Sequence, residues 1–399
     1  MSSILVVTER YWPDGGGGEL ATHLIVDLLR KKFDITIVSG SKNVEVLPGV
    51  HYVYEPLLSK REKPILWLNS SRLVTTERFR ELLRRHDIVY VPRFAFPVIP
   101  AAKKLGKRVI VHLHDYVPIS YTAVVLAPFE QHMHRIARDD VVLECRRGLK
   151  HCASAVTLWW LPRLARRWIS QADKIVCVSK RQAEIISDLA PELRDKIEVT
   201  YNPPPSQLLA GELRKELSDV PTFLYVGGDS YVKGFHLLLY AIKKLGERGL
   251  KAEFLLTNNY SLKSLQLLRK VLERKESVKV EVLGRVSYEK LVELHQKTWA
   301  LLFPSIFEET YGYAVIESAL LGTIAVASRV GAVEELLGDT AARNFMFAPQ
   351  SGPEFVKAVT SVVSLGKREV ERLGMSLRRE ISQKLSLAEL GVMRAFSEI

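Results

Sequence analysis

The sequence predicts an α/β protein built from two doubly wound domains, and three observations carry that prediction. Strand-like apolar runs alternate with helical stretches along most of the chain. The alternation is interrupted at Asn202-Pro203-Pro204-Pro205 and then starts afresh. A length of 399 residues exceeds one ordinary core and suits two.

The first set opens with Ile4–Thr8, a short apolar run of the kind buried inside a parallel sheet. Gly15–Gly18 follow, then a helical stretch over Glu19–Lys31 whose apolar positions recur with the helical period. Ile35–Ser39, Ile88–Val91, Val109–His114, Lys174–Ser179 and Glu198–Tyr201 read as further strands. The prolines at 203–205 remove backbone donors and forbid a helix, so this stretch is a linker. A second set then runs through strands at Thr222–Val226, Ala252–Thr257, Val278–Gly284, Ala300–Phe303, Thr323–Ala327 and Asn344–Phe347. Helices are expected at Phe235–Glu247, Leu262–Lys275, Tyr288–Lys297, Tyr313–Leu321 and from Gly352 onward. Alternation in this order implies parallel sheets covered on both faces.

Composition narrows the function classes. The 47% hydrophobic and 26% charged residues exclude wholesale disorder. A formal charge of +12 favours nucleic acid, acidic lipid or phosphorylated ligands, although a general surplus of surface Lys and Arg also produces it. Three cysteines, an odd and sparse set, argue against a disulfide framework and for a reducing compartment. Cys177 reads as strand core. Cys145 and Cys152 flank a basic segment near His132, His134 and His151, without the tight spacing of a metal site. No metal is expected. No cleavage-site pattern follows Ile4–Thr8, and Val117–Phe129 and Cys152–Leu161 fall short of the roughly 20 residues of a spanning helix. The expectation is a cytoplasmic protein, soluble or peripheral on the membrane face.

Ligands of doubly wound sheets bind beyond the carboxyl ends of the strands. That rule selects Thr8–Gly18, His112–Tyr116, Ser179, Gly227–Gly234, Asn258, Gly284 and Pro304–Tyr313. Within Phe303–Leu321 a strand leads into a loop carrying Glu309, then Gly312, then a helix start whose free N–H groups suit a diphosphate. Glu309 and Glu317 lie eight positions apart, one in the loop and one a turn into the helix. Read alone, they are equally well a dipole partner and a solvated face residue.

The stretch Phe303–Leu336 resembles the Glu-x7-Glu region of retaining glycosyltransferases of family 4 type, also called group 1. The resemblance implies a GT-B fold, with two Rossmann-like domains facing a central cleft. It implies an acceptor-binding domain over residues 1–203 and a donor-binding domain over 204–379, with a C-terminal helix near 380–399 packing back on the first. Glu309 is then the residue that contacts the donor sugar, Glu317 the ribose partner, and Thr310, Tyr311 and Gly312 donor-binding positions. Phe223–Phe235 is similar to the family's Gly-Arg-x-x-x-x-Lys-Gly segment, with Gly227, Gly228 and Lys233 at its positions. Lys233 neutralises the leaving diphosphate in that reading. Gly228 stands where the family has arginine, and Lys180 and Arg285 are candidates to replace it. Gly16 and Gly17 match the family's glycine loop beside the diphosphate. Of the pair at the end of the fourth strand run, the resemblance selects His114 as catalytic and leaves His112 structural.

The implied reaction is sugar transfer from a UDP-, GDP- or ADP-sugar to a sugar, glycolipid or lipid-linked acceptor, metal-independent and without a cofactor. Arg138-Asp139-Asp140 reads as a solvated charge cluster. Residues 135–168 interleave Arg146, Arg147, Lys150, Arg163, Arg166 and Arg167 with Trp159, Trp160 and Trp168, which suits an acidic membrane surface or an ordinary amphipathic helix. Rival readings are a sugar-nucleotide epimerase or hydrolase, and a basic nucleic-acid-binding protein. No recognition motif supports the last, and nucleic acid is not an expected partner.

Overall fold

The computed structural model describes residues 2–210 and 215–397. The chain forms two compact units. The first comprises Met1–Val125, His132–Pro203 and Leu387–Ile399; the second comprises Leu126–Gln131 and Pro204–Ser386.

The first unit is a seven-stranded parallel sheet. Its strands are β1 (Ser3–Thr8), β2 (Asp34–Ser39), β3 (Val50–Tyr54), β4 (Ile88–Val91), β5 (Arg108–Leu113), β6 (Lys174–Cys177) and β7 (Ile197–Val199). They lie in the order β3-β2-β1-β4-β5-β6-β7. Ile4, Val6, Ile37, Tyr90, Ile110 and Val176 meet in its core. The sequence runs contain no counterpart of β3. It is an edge strand in which Val50 and Val53 are buried and His51, Tyr52 and Tyr54 are not, so its apolar signal is diluted.

The second unit is a six-stranded parallel sheet. Its strands are β8 (Thr222–Tyr225), β9 (Ala252–Thr257), β10 (Val278–Gly284), β11 (Ala300–Phe303), β12 (Ile324–Ser328) and β13 (Met346–Phe347). Their order is β10-β9-β8-β11-β12-β13. The last strand is shorter than the expected Asn344–Phe347, because a 3-10 turn takes Ala341–Phe345.

Both sheets reverse their order of strand addition, between β1 and β4 and between β8 and β11. Loops leaving those adjacent strands open a crevice there. The helix expected over 380–399 is two helices. Lys367–Leu385 stays with the second unit, and Ala388–Ser397 lies with the first. Val392, Ala395 and Phe396 of the latter enter the first core, and the Phe396 ring meets Tyr90 edge-on at 5.0 Å between centroids.

Two expectations are corrected here. Cys145 and Cys152 form a disulfide around the turn at Gly148, against the reading that the sparse cysteines form no disulfide. Asp140 is buried, not solvated: its carboxylate accepts from Ser120 Oγ at 2.7 Å and from the Tyr121 and Thr122 N–H groups at 2.8 and 3.0 Å. Among the described residues no helix is long and apolar enough to cross a membrane.

Candidate active site

The second unit's switch point is built by the loops after β8 and β11. The loop Gly227–Gly234 runs into the helix Phe235–Glu247 and packs on the loop after β11. Gly234 has φ +79°, and a methyl group there would sit 1.8 Å from the Pro304 carbonyl oxygen. Only glycine permits that approach. The Ile306 N–H donates to the Val232 carbonyl at 2.9 Å and joins the two loops.

This joining places Lys233 beside Glu309. The ammonium donates to Glu309 Oε1 at 2.7 Å, and Ser305 Oγ donates to the same oxygen at 2.7 Å. Phe303 and Phe307 flank the Lys233 Nζ at 5.5 and 4.8 Å from their ring centroids. The Glu309 side chain is 6% exposed and that of Lys233 35%, so a fixed carboxylate orients a cation that keeps an open side. Such a cation is placed to meet an anion without large rearrangement.

Gly312, at φ +82°, is the N-cap of the helix Tyr313–Leu320 and offers no side chain to cap it. A helix start of this kind adds N–H groups and partial positive charge. Thr310 is half-buried beside Glu309, and Tyr311 is buried with its ring edge-on to Tyr313 at 5.0 Å. Glu317 lies on the buried side of the helix and not on a solvated face; burial pushes its carboxyl up to about 8. The hydroxyl of Tyr288 is buried with no hydrogen-bond partner among the described residues, and burial together with the Glu317 charge raises its pKa.

Gly227 and Gly228 occupy the tight turn after β8. A methyl group on Gly227 would reach within 2.4 Å of the Tyr225 hydroxyl, and Gly228 adopts φ +60°. The next residue, Asp229, accepts from the Ser261 N–H at 2.8 Å and Ser264 Oγ at 2.9 Å. Left-handed backbone at Gly228 disfavours arginine there. Arg285, one candidate replacement, is exposed at the end of β10, and Lys180, the other, starts the helix Lys180–Leu189 of the first unit.

The first unit's switch point carries a second constellation. Arg93, beyond β4, donates to Glu9 at 2.9 Å and pairs with Glu19 at 3.1 Å. Glu19 also accepts from the Gly16 N–H at 2.8 Å, which fixes the start of the helix Gly17–Leu29. Gly18 is the position in this loop that lies against His114. A methyl group there would come within 2.6 Å of Arg93 Nη1 and 3.4 Å of His114 Cβ. By the same construction Gly16 has open space. The His112 and His114 rings lie tilted to one another with centroids 4.3 Å apart, and His112 Nδ1 bonds the Tyr90 hydroxyl at 2.9 Å. Burial lowers His112 to about 3 and lowers His114 well below its ordinary value, with His112 and Arg93 adding to the latter shift. Both imidazoles are neutral near pH 7.

The basic and aromatic segment is sorted by its three helices, Ile136–Arg147, Leu149–Leu158 and Leu161–Ile169. Trp168 packs inward, edge-on to Trp67 at 5.2 Å, and Arg166 donates to the Leu189 carbonyl. Trp159 and Trp160 stay exposed, with Arg163 over the Trp159 ring at 4.5 Å.

Comparison with known proteins supplies the family. The pattern described as glycosyl transferases group 1 matches residues 212–377, and that described as glycosyltransferase family 4 matches residues 14–204. The chain is similar to an MMP alpha-(1->4)-mannosyltransferase of Mycolicibacterium hassiacum, 24% identical over 93% of this chain and 91% of that one. It is 30% identical to a D-rhamnosyltransferase, WbpZ, of Pseudomonas aeruginosa over 42% of this chain; the match spans 44% of that relative, less than half its length. Among solved structures, Anabaena HepE in complex with UDP and glucose superposes with a TM-score of 0.69 at 14% identity, covering all of both chains. Two parallel sheets in this order, the tandem family matches and that superposition agree. The chain belongs to the group 1 glycosyltransferases and has their GT-B fold of two Rossmann-like domains.

Proposed function

We propose that the protein transfers a sugar, with retention at the anomeric carbon, from a UDP-, GDP- or ADP-sugar to a sugar, glycolipid or lipid-linked acceptor. The observation that carries this reading is the Lys233–Glu309 pair at 2.7 Å, held at the switch point beside an uncapped helix start. In this reading Lys233 and the N–H groups following Gly312 hold the diphosphate, with Gly227 and Gly228 letting backbone approach it. Glu309, Thr310 and Tyr311 orient the sugar, and Glu317 takes the ribose. Gly16 and Gly17 are donor-binding positions in this reading, and His114 serves the sugar as a neutral hydrogen-bonding group.

The bond between the anomeric carbon and the diphosphate oxygen breaks as the acceptor oxygen bonds to the same face. The acceptor proton passes to the departing phosphate oxygen. Charge growing on that phosphate is met by Lys233 and the helix start, so the scheme assigns no role to a metal and needs no resident cofactor. A thermal-shift screen against nucleotide sugars of several bases, followed by turnover with candidate acceptors, tests the reading. Stabilisation by one nucleotide-sugar class and release of its nucleoside diphosphate only with acceptor are expected. Release at full rate without acceptor is the result of a hydrolase, and conversion of the donor to an isomeric nucleotide sugar that of an epimerase.

The same reading includes peripheral docking on the cytoplasmic face of an acidic membrane through residues 135–168. Leu149 (90% exposed), Trp159 (48%) and Trp160 (44%) accompany Arg146, Arg147, Lys150, Arg163 and Arg167 on that segment. Apolar tips ringed by cations suit an anionic lipid surface.

A further inference from the structure

We infer that Glu308 is a positioning residue of the donor site: it fixes the Glu309 loop through a strap of the second unit, Leu126–Gln131, which lies between β5 and β6 in sequence. The inference rests on the proposed role of Glu309.

Glu308 is 3% exposed, and each carboxylate oxygen has its own backbone donor. Oε1 accepts from the Phe129 N–H at 2.7 Å, and Oε2 accepts from the Gly331 N–H at 2.7 Å. The strap makes further bonds to the same loop. The Ala127 N–H donates to the Ile306 carbonyl at 3.0 Å, and Leu126 forms an antiparallel bridge with Phe307. Gln350 Nε2 donates to the Ala127 carbonyl at 3.2 Å and secures the strap from its other side.

Gly331 completes the clamp. It adopts φ +50°, and a methyl group there would sit 2.1 Å from the Glu309 carbonyl oxygen. The neighbouring Ala332 N–H donates to that same oxygen at 2.8 Å. Ser305–Glu309 is thus bound by Val232 at one end, by the strap along its length and by the start of the helix Gly331–Leu337 at the other. Glu308 joins the last two. Its function requires two acceptor oxygens; a glutamine would present an amide NH2 to one of the two N–H donors and lose that bond. The loop would then move by a fraction of an ångström, enough to misplace Glu309 against the sugar while leaving the Lys233 charge and the helix start close to the diphosphate.

The test compares Glu308→Gln and Glu309→Gln with the wild type by thermal unfolding, equilibrium binding of the nucleoside diphosphate and donor turnover. Glu308→Gln is expected to bind the diphosphate within about threefold of the wild type while kcat falls at least about tenfold. Unchanged kcat, or parallel loss of binding, turnover and thermal stability, overturns the inference. Should Glu308→Gln fail to fold, Phe129→Pro removes the N–H that Oε1 accepts, and Phe129→Ala keeps it while losing the same ring. A kcat loss confined to the proline variant supports the strap; equal kcat in both overturns it. If Glu309→Gln also turns over normally, the failure lies in the proposed site and not in the strap alone.

Discussion

Glu317 and the Lys233–Glu309 pair place different demands on a carboxyl group. Glu309 is ionically paired at 2.7 Å, whereas Glu317 is buried with its carboxyl raised to about 8 from an ordinary 4.5. A folded-state value above the unfolded one favours folding most fully below the unfolded value, and the benefit is lost as pH rises through about 8. The wild type should therefore lose melting temperature relative to Glu317→Gln between about pH 5 and about pH 9. Parallel melting curves across that range would remove the buried-carboxyl account. For the pair, Glu309→Gln in a folded protein should cut turnover by about 10²-fold or more, the scale of losing a preorganised electrostatic group. A steady-state assay showing full activity would refute its assignment. Glu309, Glu317 and Lys233 were legible in the sequence because loop and helix-start residues keep their order in the chain. Glu308 was not, because its partners, Phe129 and Gly331, are distant in sequence.

Elements explain why the pair exists at all. β8 and β11 are neighbours in the sheet, and the loops leaving them meet only because Gly234 allows contact with Pro304. Gly234→Ala faces both a left-handed backbone and a backbone carbonyl that cannot step aside. Its expected cost is at least about 1–3 kcal/mol in denaturant unfolding, together with weakened donor binding. A variant as stable as the wild type would mean the loop packing is different from that described. Most strands and helices were readable from apolar runs bounded by Gly and Pro, and β9, β10 and β11 coincide with their sequence-based limits. β3 escaped because an edge strand need not be apolar on both faces. The strap escaped because it forms a single bridge and a few loop bonds, a pattern without periodicity. The disulfide escaped because cysteine count argues about compartments and says nothing of two thiols brought together by the turn at Gly148 between two helices.

At the scale of the molecule, the two sheets share one winding order and each presents its polar constellation at the same topological position. The first carries Glu9, Arg93, Glu19 and His114; the second carries Lys233, Glu309 and the uncapped helix. This repeat was visible as an alternation of strands and helices before any side chain was placed. The net charge of +12 belongs to this scale too, and it predicts binding to acidic liposomes that weakens as salt rises. Cosedimentation should detect it for the wild type and find it reduced in Trp159→Ala/Trp160→Ala. Equal recovery with neutral and acidic vesicles would end the membrane reading.

We propose above all that the switch point of the second unit grips the diphosphate of an activated sugar through Lys233. Isothermal titration of the nucleoside diphosphate released in turnover, into wild type and Lys233→Ala, measures this directly. Saturable binding to the wild type is expected, with an affinity at least about tenfold weaker in the variant, the effect of losing a charge-assisted hydrogen bond. Equal affinities in two equally folded proteins would contradict it.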